Sequence, residues 1–216
     1  MAKVAALIPH DCNSENPIMK RTLVRHFAAK NYDGISNLLR HLDIQKARAQ
    51  ATLFLENFSP ADLMCVTLIG HSKALRTAYC ATIVTAGRVG KDVHLVEIPY
   101  LFPEDSGNRS IMEAAYNEHG GDLAKYSEEQ IAAVDHLGKL AADAIREAEK
   151  ATGLDDNNET LYFGHAPTLN AVAAALAGTS LERRPDLRTD LGEGDRIVID
   201  HIGKVTFYPL KVLVVE

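Results

Sequence analysis

The segment Thr22-Leu23-Val24-Arg25-His26 is a short apolar run that ends in an arginine and a histidine. Two later segments have the same form. Cys65-Val66-Thr67-Leu68-Ile69 stops at Gly70-His71-Ser72, and Thr160-Leu161-Tyr162-Phe163 runs into Gly164-His165. Short runs of apolar and β-branched residues that end in this way are typical of β-strands. We therefore predict three strands, each with polar side chains at its carboxyl end.

Helical patterns fill the intervals between these strands. Apolar residues recur at helical spacing in residues 35–58 and 74–86, and Pro167 begins an alanine-rich segment. Ser127 and Gln130 form a capping box at the start of a further helix. Strands that alternate with helices in this way indicate an α/β fold.

The predicted fold is a three-layer α/β sandwich, with a central, mostly parallel sheet and helices on both faces. A further strand is predicted at residues 93–96, and residues 196–200 and 205–210 form a closing β-hairpin. The chain has 216 residues without an internal repeat, a low-complexity tract or a linker. We therefore expect a single domain over residues 1–216, in which residues 106–158 are a helical insertion over the sheet.

The bulk composition narrows the class of protein. Hydrophobic residues make up 46% of the chain and charged residues 24%, which is typical of a globular protein in water. A net charge of −6 argues against a non-specific nucleic-acid binder, and the apolar runs are too short to span a membrane. Cys12, Cys65 and Cys80 form no CxxC pair, so we expect reduced thiols and a cytoplasmic protein.

The polar strand ends bring the chemically active residues together. Arg25-His26, His71-Ser72 with Arg76, and Gly164-His165 follow predicted parallel strands, and α/β sheets bind ligands at the edge where such strands end. Arginine presents a planar, permanently charged group that matches phosphate oxygens. The helices that follow Ser72 and His165 would point their positive dipole ends the same way. These residues therefore favour a phosphate site.

Four motifs, in this order, resemble the histidine phosphatase superfamily of phosphoglycerate mutase-like proteins. Leu23 to His26 is similar to the family's LVRHG start, and His71 to Thr77 is similar to its S-x-x-x-R-A segment. Phe163-Gly164-His165 resembles its later v-G-H segment, and Leu191 to Ile199 resembles its closing glycine and strand. The order and spacing agree from about Arg21 to Leu210, which is nearly the whole chain.

The resemblance implies a metal-independent phosphatase that needs no cofactor. His26 would attack phosphorus as an unprotonated imidazole and form a phosphohistidine. Arg25, Arg76 and His165 match the family's phosphate-pocket positions and would stabilise the charge on the transferring oxygens. We therefore assign His26 and His165 as catalytic and Arg25 and Arg76 as substrate-binding. No metal ligand is expected, because the arginines supply the positive charge.

The resemblance also implies a carboxylic acid that protonates the leaving oxygen and then activates water. In the family it lies in the loop after the third strand, where Glu104 fits the L-x-x-E spacing best, with Asp105 and Glu97 as alternatives. Ser72 and Asn31 complete the predicted substrate site. Ser72 either contacts the substrate or only caps its helix. Asn31 lies one residue short of a phosphate-contacting asparagine of the family.

Phe27 stands where the family has a glycine, a residue that lets the backbone approach phosphate closely. One alternative is therefore a catalytically dead relative that binds a phosphorylated ligand or a partner protein. Another is a phosphoglycerate mutase-type phosphotransferase, which returns the phosphoryl group to a bound acceptor. The expected substrate is a phosphorylated small molecule, with a phosphoprotein as the alternative. We expect neither a nucleic-acid nor a membrane partner. A homodimer is compatible with the sequence.

Overall fold

The computed structural model describes residues 19–27, 43–58, 63–88, 93–103, 107–154 and 158–210. Its strands are β1 (Lys20–Arg25), β2 (Val66–His71), β3 (His94–Glu97), β4 (Glu159–Gly164), β5 (Arg196–Ile199) and β6 (Val205–Tyr208). Its helices are α1 (Ile44–Glu56), α2 (Leu75–Arg88), α3 (Arg109–His119), α4 (Glu128–Ala151) and α5 (Thr168–Leu176). Short 3₁₀ turns lie at Leu123–Lys125 and Pro185–Leu187.

The six strands form one sheet in the order β3-β2-β4-β1-β5-β6. The pairs β3–β2, β2–β4 and β4–β1 are parallel, whereas β5 pairs antiparallel with β1, and β6 with β5. This arrangement confirms the predicted, mostly parallel sheet. The parallel strands end at one edge, so the residues that follow β1, β2 and β4 lie side by side.

Alternate residues of the central strands enter different hydrophobic cores, as the pleat of a strand requires. In β1, Leu23 packs with residues of α4 and α5, whereas Val24 packs with residues of α1 and α2. In β4, Tyr162 belongs to the same core as Leu23, and Phe163 belongs to the same core as Val24. Helices therefore cover both faces of the sheet, which confirms the predicted three-layer α/β sandwich.

Of the helix predicted over residues 35–58, residues 35–42 lie outside the described residues, and α1 covers Ile44–Glu56. Asp43 has an extended backbone, and its side chain accepts a hydrogen bond from the Lys46 amide at 3.0 Å. A carboxylate in this position caps a helix, so α1 begins at Ile44. Residues 107–154, which belong to the predicted insertion, form α3 and α4. Among the described residues, no helix is both long enough and apolar enough to cross a membrane.

Helix α4 is fixed at both ends. At its start, the Ser127 hydroxyl accepts a hydrogen bond from the Gln130 amide, and the Gln130 side chain accepts one from the Ser127 amide, which confirms the predicted capping box. Near its end, Arg21 donates two hydrogen bonds to the buried carboxylate of Glu149, at 2.8 and 2.9 Å. The Tyr162 hydroxyl donates a third at 3.0 Å. These contacts tie α4 to β1 and β4.

The backbones of α4 and α5 lie in close contact at Gly138. A Cβ atom added to Gly138 would lie 2.4 Å from the Cβ of Ala171 and 2.5 Å from its carbonyl carbon. Helix α5 begins three residues after His165. The distance between α4 and α5 therefore affects the position of His165 at the carboxyl end of β4.

Gly138→Ala is expected to destabilise the protein by about 1–3 kcal/mol, because the added methyl group must push two backbones apart. Alanine's better helix propensity, worth about 1 kcal/mol, offsets only part of this cost. The free energy of unfolding in urea measures the effect.

The matched control is Gly87→Ala in α2, where, among the described residues, an added Cβ meets only the flexible end of Leu55, 2.8 Å away. This variant should be as stable as the wild type or more stable. Equal effects of the two substitutions would contradict the close packing of α4 on α5.

Candidate active site

His26 and His165 lie side by side at the edge of the sheet where the parallel strands end. His26 follows β1 directly and His165 follows β4, the parallel neighbour of β1. The His26 amide donates a hydrogen bond to the carbonyl of Gly164 at 3.1 Å, and the two imidazole centroids are 5.0 Å apart. The side chains of both histidines are almost completely buried, with exposures of 7% and 6%.

Arg76 joins the two histidines from the next strand along the sheet. It lies in the first turn of α2, which follows β2, and its exposure is 8%. An Nη atom of Arg76 lies 3.2 Å from Nδ1 of His165. Arg25, the last residue of β1, also lies close enough for its charge to lower the pKa of both histidines. The structure therefore brings together the predicted residues Arg25, His26, Arg76 and His165.

The tautomer of His26 follows from its hydrogen bond. Nδ1 lies 2.8 Å from the carbonyl oxygen of Phe27, which can only accept, so Nδ1 carries the proton and Nε2 has a free lone pair. Burial, and then the charge of Arg76, lower the pKa of His26 from 6.5 to about 3. The imidazole is therefore neutral near pH 7, in the form that a nucleophile requires.

The ring of Phe27 packs in the core on the side of α1 and α2. It makes edge-to-face contacts with Phe54 and Phe163, at centroid distances of 5.7 and 5.8 Å, and is fully buried. Its amide donates a hydrogen bond to the sulfur of Cys80 at 3.3 Å. A side chain at the family's glycine position is therefore accommodated in the core, while the Phe27 carbonyl still orients His26.

Cys80 acts as a small residue of the same core. Burial raises the pKa of its thiol to about 12, so the sulfur stays protonated near neutral pH. It accepts the Phe27 hydrogen bond and serves no nucleophilic role.

Ser72 and Phe102 contact His165, and Thr77 in turn contacts Ser72. Ser72 lies 3.1 Å from Nε2 of His165, and its hydroxyl is 2.7 Å from that of Thr77. The Ser72 hydroxyl also accepts a hydrogen bond from the Ala74 amide just before α2. The ring of Phe102 packs edge-on against His165 at 5.1 Å.

Thr77 and Phe102 are two residues that the sequence did not indicate. Thr77 lies within a segment that carries the family resemblance, and Phe102 lies two residues before Glu104. Neither type of side chain signals a role by itself. Phe102 contacts His165 across 63 positions of the chain, and Thr77 reaches His165 only through Ser72. The one available signal is that Thr77 replaces an alanine of the family motif.

Arg25 is held by the loop that precedes β5. One of its guanidinium nitrogens donates a hydrogen bond to the carbonyl of Leu191 and lies 3.9 Å from a carboxylate oxygen of Asp190. The Arg25 amide donates to the carbonyl of Asp195, and the Gly194 amide donates to the Arg25 carbonyl. The sequence did not single out Asp190, whose carboxylate would compete with a bound anion for Arg25.

Part of the predicted site lies outside the described residues. This applies to Asn31, to the acid candidate Glu104 and to its neighbour Asp105. Glu97, the third candidate for the acid, is the last residue of β3 and is exposed. Strand β3 is the outermost strand of the sheet, beside β2. Within the described part of the chain, no group of three or more His, Cys, Asp or Glu side chains could hold a metal ion.

The chain matches no protein-family model and no curated protein by sequence. Its structure is similar to that of a mycobacterial glucosyl-3-phosphoglycerate phosphatase solved in complex with VO3, with a TM-score of 0.60 and 14% identity, covering 88% of this chain and 97% of that one. It is also similar to YhfR of Bacillus stearothermophilus, with a TM-score of 0.56 and 16% identity, covering 88% of this chain and 95% of that one. These similarities confirm the expected phosphoglycerate mutase-like fold.

Acid is expected to destabilise the protein through its buried histidines. Burial and Arg76 lower the pKa of His26 from 6.5 to about 3, so between about pH 3 and pH 6.5 the unfolded chain binds a proton that the folded chain does not. Burial lowers the pKa of His165 in the same direction. The free energy of unfolding should therefore fall as the pH decreases from about 7 to 5, by up to ~1.4 kcal/mol per pH unit for each histidine.

Urea unfolding of His26→Gln over this pH range should show a shallower loss of stability than the wild type shows. His136→Gln, at an exposed position on α4, is the matched control and should keep the wild-type slope. A wild-type slope in His26→Gln would contradict the buried, neutral state of His26.

Proposed function

We propose that the chain is a phosphatase that hydrolyses phosphate monoesters through a phosphohistidine at His26. The observation that carries this proposal is the hydrogen bond from Nδ1 of His26 to the Phe27 carbonyl. It leaves Nε2 unprotonated. The ring centroid of His26 lies 5.0 Å from that of His165, and the charge of Arg76 helps to lower the pKa of His26. A neutral imidazole beside guanidinium groups suits attack on a phosphate ester.

The reaction has two displacements at phosphorus. In the first, the lone pair on Nε2 of His26 forms a bond to phosphorus, and the bond from phosphorus to the ester oxygen breaks. The carboxylic acid, for which Glu104 is the first candidate, gives its proton to the leaving oxygen. In the second, the resulting carboxylate takes a proton from water as the water oxygen attacks phosphorus, and the bond from phosphorus to Nε2 of His26 breaks and returns its electron pair to Nε2. Inorganic phosphate leaves, and both groups return to their starting states.

Arg25, Arg76 and His165 stabilise the transferring phosphoryl group in both steps. Guanidinium groups match the equatorial oxygens of phosphate and remain charged at every physiological pH. Because they supply fixed positive charge in a buried site, the reaction requires no metal ion. The fold is shared with a phosphatase that was solved with VO3, which supports a phosphatase activity for this chain as well.

The proposed substrate is a phosphorylated small molecule. His26, Arg76 and His165 are almost fully buried, so the phosphate must reach below the protein surface. A small ester can enter such a site whole, whereas the phosphate of a phosphoserine lies only a few bonds from its peptide backbone. Phosphoproteins are therefore the second substrate class to test.

The wild type is expected to hydrolyse an aryl phosphate and at least one phosphorylated metabolite in the presence of EDTA. His26→Ala should lower kcat by about 10³-fold or more, because removal of a nucleophile removes the covalent route. His136→Ala, which replaces an exposed histidine on α4, is the control and should keep wild-type activity. The release of inorganic phosphate measures the rates.

Other outcomes would replace the proposal. Transfer of the phosphoryl group to a bound acceptor, without release of phosphate, would identify a mutase-type phosphotransferase. Binding of vanadate without turnover of any substrate would identify a catalytically dead, phosphate-binding relative. Turnover that EDTA abolishes would contradict the metal-independent mechanism.

A further inference from the structure

Both ring nitrogens of His165 have partners, and the partners determine which nitrogen carries the proton. An Nη atom of Arg76 lies 3.2 Å from Nδ1, and the Ser72 hydroxyl lies 3.1 Å from Nε2. A guanidinium group can only donate, so Nδ1 is the acceptor. A neutral imidazole has one N–H, which in His165 must then be on Nε2 and donate to Ser72.

The hydrogen bonds of the Ser72 hydroxyl are fully accounted for. Its oxygen has two lone pairs, one of which accepts from Nε2 of His165 and the other from the Ala74 amide, at 3.3 Å. The hydroxyl proton must therefore point elsewhere. The hydroxyl oxygen of Thr77, 2.7 Å away, is in position to accept it.

Thr77 determines the direction of this chain of hydrogen bonds. Its hydroxyl lies 2.6 Å from the carbonyl oxygen of Ala74 and 3.0 Å from that of Ser72. Carbonyl oxygens only accept, so the Thr77 proton points to one of them and its oxygen is left to accept from Ser72. Ser72 and Thr77 are both fully buried, so solvent does not take over either contact.

We propose that Thr77 is a positioning residue of the site, which acts through the Ser72 hydroxyl to keep the proton of His165 on Nε2. Nδ1 then remains the nitrogen that accepts from Arg76, whose guanidinium group is proposed to bind the phosphate. The part that concerns phosphate rests on the proposed phosphatase function. The assignment of the proton rests only on the hydrogen bonds.

Loss of the Thr77 hydroxyl would reverse the order of donors. In Thr77→Val, which preserves the shape of the side chain, the Ser72 proton has no acceptor at position 77 and turns to Nε2 of His165. Nε2 then accepts, so the imidazole proton moves to Nδ1. Two N–H groups, one from Arg76 and one from His165, would face each other in a buried site, which is unfavourable.

The tautomer can be measured directly by NMR on protein with ¹⁵N-labelled histidine. The side-chain signals of His165 are assigned by their absence in His165→Asn. In the wild type and in Thr77→Ser, Nε2 should be the protonated nitrogen and Nδ1 the unprotonated one. In Thr77→Val, the protonated population should shift toward Nδ1.

Kinetics provide a second readout on the same pair of variants. Thr77→Val should lower kcat by about 10- to 100-fold, the size of effect that follows removal of a partner that orients a metal-binding histidine. KM should change far less, because Arg25 and Arg76 still bind the phosphate. Thr77→Ser, which restores the hydroxyl, should recover most of the wild-type kcat.

Two results would overturn the proposal. One is a wild-type His165 with its proton on Nδ1. This measurement requires no variant, so it tests the proposal even if Thr77→Val does not fold. The other is a Thr77→Val protein that matches Thr77→Ser in both tautomer and kcat. If the wild type turned over no phosphate ester, the proposed function would fail, while the NMR result would still test the assignment of the proton.

Discussion

Strand β1 pairs in parallel with β4, with Arg25 opposite Gly164, and the His26 amide continues the pairing to the Gly164 carbonyl. This register places His26 and His165, one residue beyond each strand, in ring contact. A shift by one residue would turn either side chain to the other face of the sheet. The parallel pairing of β2 with β4 then brings Ser72 and Arg76 to His165 from the other side of β4.

Burial then determines the chemistry of the two histidines. Removal from water lowers the pKa of both imidazoles, and Arg76 lowers it further, so that neutral rings stand beside permanent positive charge. Such a site is poorly suited to a cation and well suited to an oxyanion. A phosphate dianion would bring the negative charge that complements Arg25 and Arg76.

The strands and the site could be predicted to a large extent from local patterns. The run that ends in Arg25-His26 and the run that ends in Gly164-His165 each identify a strand and its polar end within a few residues. The capping box at Ser127 is equally local. The start of α1 was not predicted, because it depends on the extended backbone of one capping residue, Asp43, which the apolar spacing does not reveal.

Features that depend on distant partners could not be predicted. Phe27 replaced an expected glycine, and only the structure shows that its ring packs between Phe54 and Phe163, away from His26. The role of Thr77 was equally hidden. Its hydroxyl matters because it contacts Ser72, which contacts His165, and the contact between Ser72 and His165 depends on the order of strands in the sheet. A single sequence carries no direct signal of such contacts.

The central claim is that His26 forms a covalent bond to phosphorus. The most direct measurement is a single-turnover reaction that is quenched in alkali, in which phosphohistidine survives, followed by mass-spectrometric mapping of the phosphoryl group. The account predicts a transient, acid-labile phosphoryl group on Nε2 of His26 that forms and decays at the rate of turnover. Turnover with His26 unmodified throughout, or with the phosphoryl group on another side chain, would contradict it.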